Sequence, residues 1–426
     1  MPTILIITRN YRPAICGVGD HTAHLKRELE KMGNRVLVLT GTGGQNEQDV
    51  FSVAAFNGRM YSRLQTLITE ENIGRILWQY VPYSYQRKGL PLWWPLLMLR
   101  LAGSGVKQFV FFHEVSLRWW GYGLRQLVLA SGQRMIANLA SLAANGLFTS
   151  IPLYAGYFVF KKPGIVPISA NIMVIGENVN RQSSVVSGDL ESCRAESVEA
   201  SNPVRMTVVN NEWSEVNSQR STVSSQWDDQ GPVNRQPSTL VRRENQVFCF
   251  ANRADRALLQ AIKNINGQFP VTLVLGGMIH PDKKAPLVDW IGELNLEDMV
   301  CFTGTMAPEA LAGIIKASAI FLQPQIVERK NQGGISAKNG TVMAAMAMGK
   351  AIITCAGDMT DPTIFKPNEN ILLVPYGDGL AYEKALVHLL ERPAEMERLG
   401  TAAAAIYRER CSWEVTGRMI NDSINH

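Results

Sequence analysis

One run, from Gln323 to Ile353, narrows the choice of folds more than any other part of the chain. Just before it, Ala319-Ile320-Phe321-Leu322 reads as a short apolar strand that ends at Pro324. Polar, glycine-containing sequence follows as far as Gly340, and Thr341 then opens a helix of Val342, Met343, Ala344, Ala345, Met346, Ala347 and Met348. Gly349 stops that helix, and Ala351 to Thr354 restart a strand. Gly333, Gly334 and Gly340 let the backbone turn tightly and approach a ligand, while the helix start offers unpaired N–H groups and partial positive charge. Ser336, Lys338, Asn339 and Thr341 surround that start with donors, which suits a phosphate or diphosphate. The same glycines also serve an ordinary strand-to-helix turn, and this run alone does not choose between the two readings.

The rest of the chain repeats the alternation. Strand Thr3–Thr8 leads through Arg9–Gly19 into a helix expected from Asp20 or His21 to about Lys31, followed by strand Arg35–Thr40. This is the right-handed βαβ unit of a parallel sheet. Gly17-Val18-Gly19 lacks the third glycine and the immediate turn of a dinucleotide fingerprint, and Gly41-Thr42-Gly43-Gly44 stands where an acidic ribose-binding residue would be needed. An NAD-dependent oxidoreductase is therefore disfavoured, and Gly17 and Gly19 read as a mobile loop facing a cleft. Further strands are expected at Arg75–Tyr80, Gln108–Phe112 and Gly146–Ser150, and a helix at Leu124–Ala144. His113 and Glu114 follow the Gln108–Phe112 strand, where groups line the ligand crevice of an open parallel sheet. A histidine there serves as general acid or base, as a donor to a substrate hydroxyl, or as a structural residue.

A second set of βαβ units begins at Val247–Phe250. Arg253, Gly277, Gly304 and the Gly333–Thr341 loop all fall just beyond strand ends and should converge on one crevice. An arginine fork beside a glycine loop and a helix start is a plausible diphosphate clamp. Between the two sets, residues 181–245 are dense in Ser, Asn, Gln, Arg, Val and Glu, with no Lys and no sustained apolar periodicity. Such a segment buries too little surface to offset its ordering entropy, so a disordered insertion is expected. The division is 1–176, an insertion at 177–246, a second domain at 247–410, and a last helix at 411–426 that crosses back to the first domain.

Charge adds a hint about partners. Residues 1–176 carry 18 Lys and Arg against 8 Asp and Glu, a net of +10, which leaves −5 for the rest of a chain whose total is +5. A basic first half fits lipid headgroups, a phosphorylated lipid carrier or an acidic glycan, and equally a merely solvated surface. No basic helix with interleaved aromatics points to nucleic acid. Six scattered cysteines, with no Cys-x-x-Cys pair, support neither a zinc site nor a disulfide framework. The start shows no leader pattern, and no apolar run approaches the ~18–20 residues of a membrane span. The longest, Leu90–Leu101 with Trp93 and Trp94, reads as a buried helix, with contact to a membrane interface as the other option. A cytoplasmic protein, with optional peripheral membrane contact, is the expectation.

Taken together these residues resemble a glycosyltransferase of the two-Rossmann GT-B architecture, similar to the retaining group 1, family 4 class. The resemblance rests on Tyr11–Thr22, His113-Glu114, Asn171, Gly276-Gly277, Phe302-Thr303-Gly304, and above all Gly334-Ile335-Ser336 through Gly340-Thr341 to Gly349-Lys350 and Thr354. It implies an α/β fold of two Rossmann-like domains facing a central cleft. The second domain would bind a nucleotide diphosphate sugar, and the first a glycan or lipid-linked acceptor, in polysaccharide biosynthesis. Arg253 would stand where the family places a phosphate-binding lysine, Gly17 and Gly19 would approach the donor phosphates, and His113 would contact the donor sugar. Gly277, Gly304, Gly334, Ser336, Lys338 and Thr341 complete the expected donor site, with His113 and Glu114 as the catalytic candidates. Neither metal nor cofactor is expected.

One departure bears on the activity. The family places two glutamates eight positions apart, and here those positions hold Ser336 and Ala344. Neither supplies a carboxylate. The alternative is thus a nucleotide-sugar or glycan binding protein of the same fold whose catalysis is impaired.

Overall fold

The computed structural model describes residues 3–14, 16–44, 47–118, 123–170 and 245–425, with the backbone but not the side chain of Arg329. Asn171 and nearly all of the 177–246 insertion lie outside the described residues. In the first half the elements are β1 (Thr3–Asn10), α1 (Gly17–Lys31), β2 (Val36–Thr42), β3 (Val50–Ser52), α2 (Tyr61–Glu70), β4 (Ile73–Tyr80), α3 (Pro82–Tyr85), α4 (Trp93–Ala102), β5 (Lys107–Phe112), α5 (Leu124–Ala143), β6 (Gly146–Thr149), α6 (Pro152–Ala155) and β7 (Gly164–Ile165). The strands form one parallel sheet in the order β3-β2-β1-β4-β5-β6-β7. Side chains alternate across β1, and both faces are covered. Leu5 and Ile7 join the core with Trp78, Trp94 and Ile136, while Ile4 and Ile6 join Leu25, Leu29 and Phe111 on the other face.

The second half holds β8 (Gln246–Phe250), α7 (Arg256–Ile265), β9 (Thr272–Gly276), α8 (Pro281–Glu293), β10 (Val300–Gly304), α9 (Pro308–Ala317) and β11 (Ile320–Gln323). A small hairpin of β12 (Val327–Glu328) and β13 (Gln332–Gly333) follows, then α10 (Gly340–Ala347), β14 (Ala351–Thr354), β15 (Leu372–Leu373), α11 (Gly379–Glu391), α12 (Pro393–Ile406) and α13 (Trp413–Asn425). Its sheet is again parallel, ordered β10-β9-β8-β11-β14-β15. Val247 and Cys249 face one core, and Phe248 faces the other. This is the α/β architecture of two Rossmann-like sheets that the sequence led us to expect. The last helix does not stay with the second sheet: Trp413, Ile420 and Ile424 of α13 pack with Ile4, Ile6 and Leu25 of the first.

Two local differences have physical causes. The glycines at 17 and 19 form the first turn of α1 instead of a mobile loop, so the helix begins about three residues before Asp20. A Cβ at Gly19 would lie 2.9 Å from the Asn10 carbonyl oxygen, so glycine there permits close helix-to-strand approach. Likewise a helix that the sequence suggests over Ala285–Leu294 begins, as α8, at Pro281, because the proline suits a first helical position and the His280 ring nitrogen accepts from the Asp282 amide at 3.4 Å.

Candidate functional site

Each sheet has one place where the winding reverses. In the first, β1 and β4 are neighbours whose connections leave in opposite directions, and in the second β8 and β11 stand in that relation. Crevices for ligands open at the carboxyl ends of such strand pairs. Gly17, Gly19 and Gln79 lie at the first reversal, while Arg253 and the loop carrying Ser336, Lys338 and Thr341 lie at the second.

At the first reversal a small recess is lined by Thr8, Arg9, Asn10, Cys16, Val18, Gln79, Val81 and Ser84. Gln79 is fully buried and its Oε1 accepts from His113 Nε2 at 2.6 Å. Its Nε2 is buried without a hydrogen-bond partner among the described residues. The bond to Gln79 assigns the His113 proton to Nε2, leaving Nδ1 as the acceptor nitrogen. His113 is buried, stacked on Phe111 at 4.7 Å and edge-on to His21 at 4.9 Å. Burial pushes its pKa well down, and the charges of His21 and Lys338 add to that. A neutral imidazole is suited to hydrogen bonding a hydroxyl and poorly suited to donating a proton at neutral pH.

The two halves meet at Glu114. Lys338 Nζ donates to Glu114 Oε1 at 2.6 Å, with both side chains partly exposed. Arg118 adds a forked pair to Asp358 at 3.2 and 3.1 Å, and Asp358 Oδ1 accepts from the Gly333 amide at 2.9 Å. The Ile168 amide donates to the Ala337 carbonyl at 2.9 Å. Glu114, expected as a catalytic candidate, and Lys338, expected at the donor phosphates, are therefore each other's partner in this structure. Sequence reading missed the Arg118–Asp358 fork, since 240 residues separate its members and no local signal links them.

The glycine loop is tied down rather than open. Gly334 has φ +79°, and a Cβ there would collide with the Gly357 amide nitrogen, so the position demands glycine for close backbone packing. Ser336 is buried, and its carbonyl accepts from the Asn339 amide at 3.0 Å. Asn339 caps α10 by accepting from the Val342 amide at 3.3 Å. Thr341 Oγ1 is held by Asn339 Oδ1 at 2.7 Å and by the Gln323 amide at 3.2 Å. Ala344 is fully buried within α10.

Around the second reversal the surroundings differ. Arg253 closes a short turn after β8, is exposed, and has no hydrogen bond or ion pair to its guanidinium among the described residues. Gly277 and Gly304, at the carboxyl ends of β9 and β10, have φ +82° and +63° and bridge one another. The Gly277 amide donates to Thr303 Oγ1 at 3.2 Å. No group of three or more His, Cys, Asp or Glu among the described residues could hold a metal ion. No helix among them is long and apolar enough to cross a membrane.

Comparison with known proteins bears on the whole chain. No curated protein matches the sequence significantly. Among solved structures, sucrose-phosphate synthase from Thermosynechococcus elongatus aligns with a TM-score of 0.64 and 16% identity, over 99% of this chain and 98% of its own. The Anabaena protein HepE, solved in complex with UDP and glucose, aligns with a TM-score of 0.61 and 14% identity over 100% of both chains. A glycosyltransferase from Rickettsia africae aligns with a TM-score of 0.62 and 12% identity, over 100% of this chain and 98% of its own. Residues 248–392 match the family of group 1 glycosyl transferases, and the chain as a whole has the GT-B fold of two facing Rossmann-like sheets, as the resemblance implied.

Proposed function

We propose that the chain is a cytoplasmic glycosyltransferase that moves a hexosyl group from a nucleotide diphosphate sugar to a glycan or lipid-linked acceptor, with retention and without a metal or other cofactor. The observation that carries this reading is Arg253, exposed at the winding reversal of the second sheet and without a hydrogen bond or ion pair to its guanidinium among the described residues. An arginine fork on the same sheet edge as Gly277, Gly304 and the start of α10 suits the oxygens of a diphosphate. HepE, bound to UDP and glucose on a similar fold, supports a donor of this class. Charge that develops on the leaving diphosphate is stabilised by Arg253, by Lys338 once freed from Glu114, and by the α10 N-terminus. Gly17 and Gly19 bring the α1 N-terminus to the opposite wall, and His113 Nδ1 accepts from a sugar hydroxyl. The acceptor enters at the first reversal, where the Gln79 amide and Arg9 line the recess.

A second reading keeps the donor site and drops the chemistry. Ser336 and Ala344 are both buried and Glu114 is engaged by Lys338, which leaves Glu328, exposed on β12, as the carboxylate nearest the loop in sequence. The chain would then be a nucleotide-sugar or glycan binding protein.

Thermal unfolding against UDP, GDP, ADP and NAD tests the donor site that both readings share. A ligand at about 100 times its Kd adds ~2.7 kcal/mol, enough to move the midpoint by a few degrees. One nucleoside diphosphate should raise the midpoint, and Arg253→Ala should weaken its binding about ten- to a hundredfold. Hydrolysis of the matching sugar nucleotide then marks an enzyme, and binding without turnover marks a binder. No response to any diphosphate refutes the donor site.

A further inference from the structure

Most of the large apolar side chains left exposed among the described residues belong to α4, α5 and the segment after α6, and on the two helices their arrangement is regular. On α5, Leu124, Val128, Met135 and Leu142 are all more than half exposed. At 3.6 residues per turn these four lie within about 40° of one another, so they form one stripe along a helix about 30 Å long. Leu92, Leu96 and Leu99 repeat the pattern at the start and along the length of α4, which packs beside α5. The opposite faces, through Trp94, Leu97, Met98, Ile136 and Ala137, are buried in the core. Both helices are thus apolar on two sides, and only one of those sides is covered by the described residues. Val159 and Phe160, which follow α6, add two further exposed apolar side chains at 81% and 63%.

Charge says what kind of surface fits. From residue 82 to residue 170 the sequence contains nine Lys and Arg and a single acidic residue, Glu114, which Lys338 already engages. Lys88, Arg125 and Lys162 are exposed, and no described residue forms an ion pair with them. An apolar stripe flanked by cations, without acidic residues to repel phosphate, matches the boundary between headgroups and acyl chains of an anionic bilayer. A second copy of the chain would bring the same cations face to face, which disfavours a symmetric dimer through this patch.

We propose that the α4–α5 face docks on the surface of an anionic lipid bilayer, with the exposed leucines, Val128 and Met135 entering the acyl boundary and Lys88, Arg125 and Lys162 meeting lipid phosphates. The docking is peripheral: the helices lie in the plane of the interface. This surface is independent of the donor site, and it stands or falls without reference to the glycosyl transfer reading.

Flotation of the full chain with vesicles tests it. Binding should be strong to phosphatidylcholine vesicles containing about one-third phosphatidylglycerol, weak to phosphatidylcholine alone, and reduced by salt. The double substitution Val128→Asp and Met135→Asp should weaken binding tenfold or more while leaving the thermal midpoint near that of the parent, since both positions are exposed. Leu96→Asp tests the other helix in the same way if the double variant does not fold. Arg125→Glu with Lys162→Glu should weaken binding about fivefold for each cation lost. Leu380→Asp, an equally exposed leucine on α11, should change nothing. Equal flotation with neutral and anionic vesicles, absence of flotation, or flotation indifferent to the α4 and α5 substitutions would each overturn the proposal. So would a dimer that these substitutions dissolve without any effect on lipid.

Discussion

The two sheets share one winding, yet their reversal points carry opposite furnishings. At the first, the buried pair Gln79 and His113 is uncharged: Gln79 bonds to His113, and His113 rests on Phe111 and His21, while the half-buried Arg9 lines the recess beside them. At the second, the polar group is an exposed cation, Arg253, with two left-handed glycines nearby in the strand order. A neutral, desolvated pair of this kind favours ligands with hydroxyls, because a buried amide or imidazole gains most from a partner that brings no charge. An exposed guanidinium favours an anion. The same fold thus separates the two chemistries that a sugar transfer would need, and Lys338–Glu114 and Arg118–Asp358 tie the two sides together.

The comparison breaks most completely if the halves are uncoupled. Trp413 comes from the end of the chain but stacks on His24 of α1 at 4.9 Å, and its Nε1 donates to the Ala170 carbonyl at 2.8 Å. Trp413→Ala should cost about 3–5 kcal/mol, as large-to-small changes of buried aromatics do. Urea unfolding followed by tryptophan-independent far-UV signal measures this; a loss below about 1 kcal/mol would mean that the last helix does not hold the first sheet.

Acid sharpens the comparison, because buried imidazoles belong to the first half. Burial lowers the pKa of His21 to about 3 and of His24 to about 4, with the nearby His24 charge adding to the first and Arg12 and Arg27 to the second. His113 is lowered too. The unfolded chain takes up these protons below the ordinary value of about 6.5, whereas the folded chain does not. Stability is therefore full above pH 6.5 and falls as the pH drops toward 4, by about 1.4 kcal/mol per pH unit for each such group. The urea midpoint should decline over that window while the imidazole resonances of the three histidines keep their neutral positions to pH 5. Resonances that titrate near 6.5 would place the histidines in water and remove the contrast.

The smallest effect concerns the tie between the sides. Glu114 and Lys338 are partly exposed, so Glu114→Gln should change stability by at most about 1 kcal/mol. If Glu114 only holds the lysine, the same variant leaves the affinity for a nucleoside diphosphate unchanged or raises it, whereas Lys338→Ala lowers it about tenfold. A titration in which Glu114→Gln binds the diphosphate much more weakly would show Glu114 to be a ligand in its own right.

Much of this site could be read locally. Strands buried on both faces are written as continuous apolar runs, so Ile4–Ile7 and Val247–Phe250 announce themselves, and the glycines after them mark where strand ends open. Position relative to a strand end is a short-range property, and it was enough to bring Arg253, Gly277, Gly304 and the 333–341 loop to one edge. Gly19 was less legible, because a glycine that relieves crowding inside a helix looks the same in sequence as one that shapes a loop. Gln79 carried no signal as a missing partner, since its burial depends on β1, β5 and α1 together.

By itself, then, the amino-acid order determined two parallel sheets, the start and stop of α10, and a basic first half. Those follow from hydrophobic period, glycine placement and composition, which act over a few residues or over none in particular. Tertiary structure alone decided that Lys338 meets Glu114, that Trp413 lies against His21 and His24, and that burial holds the His113 pKa down. It also decided which apolar side of α5 stays exposed. A helical period specifies that a helix has an apolar face, but which neighbours cover it, and which charges meet across hundreds of residues, is settled only when the sheets pack.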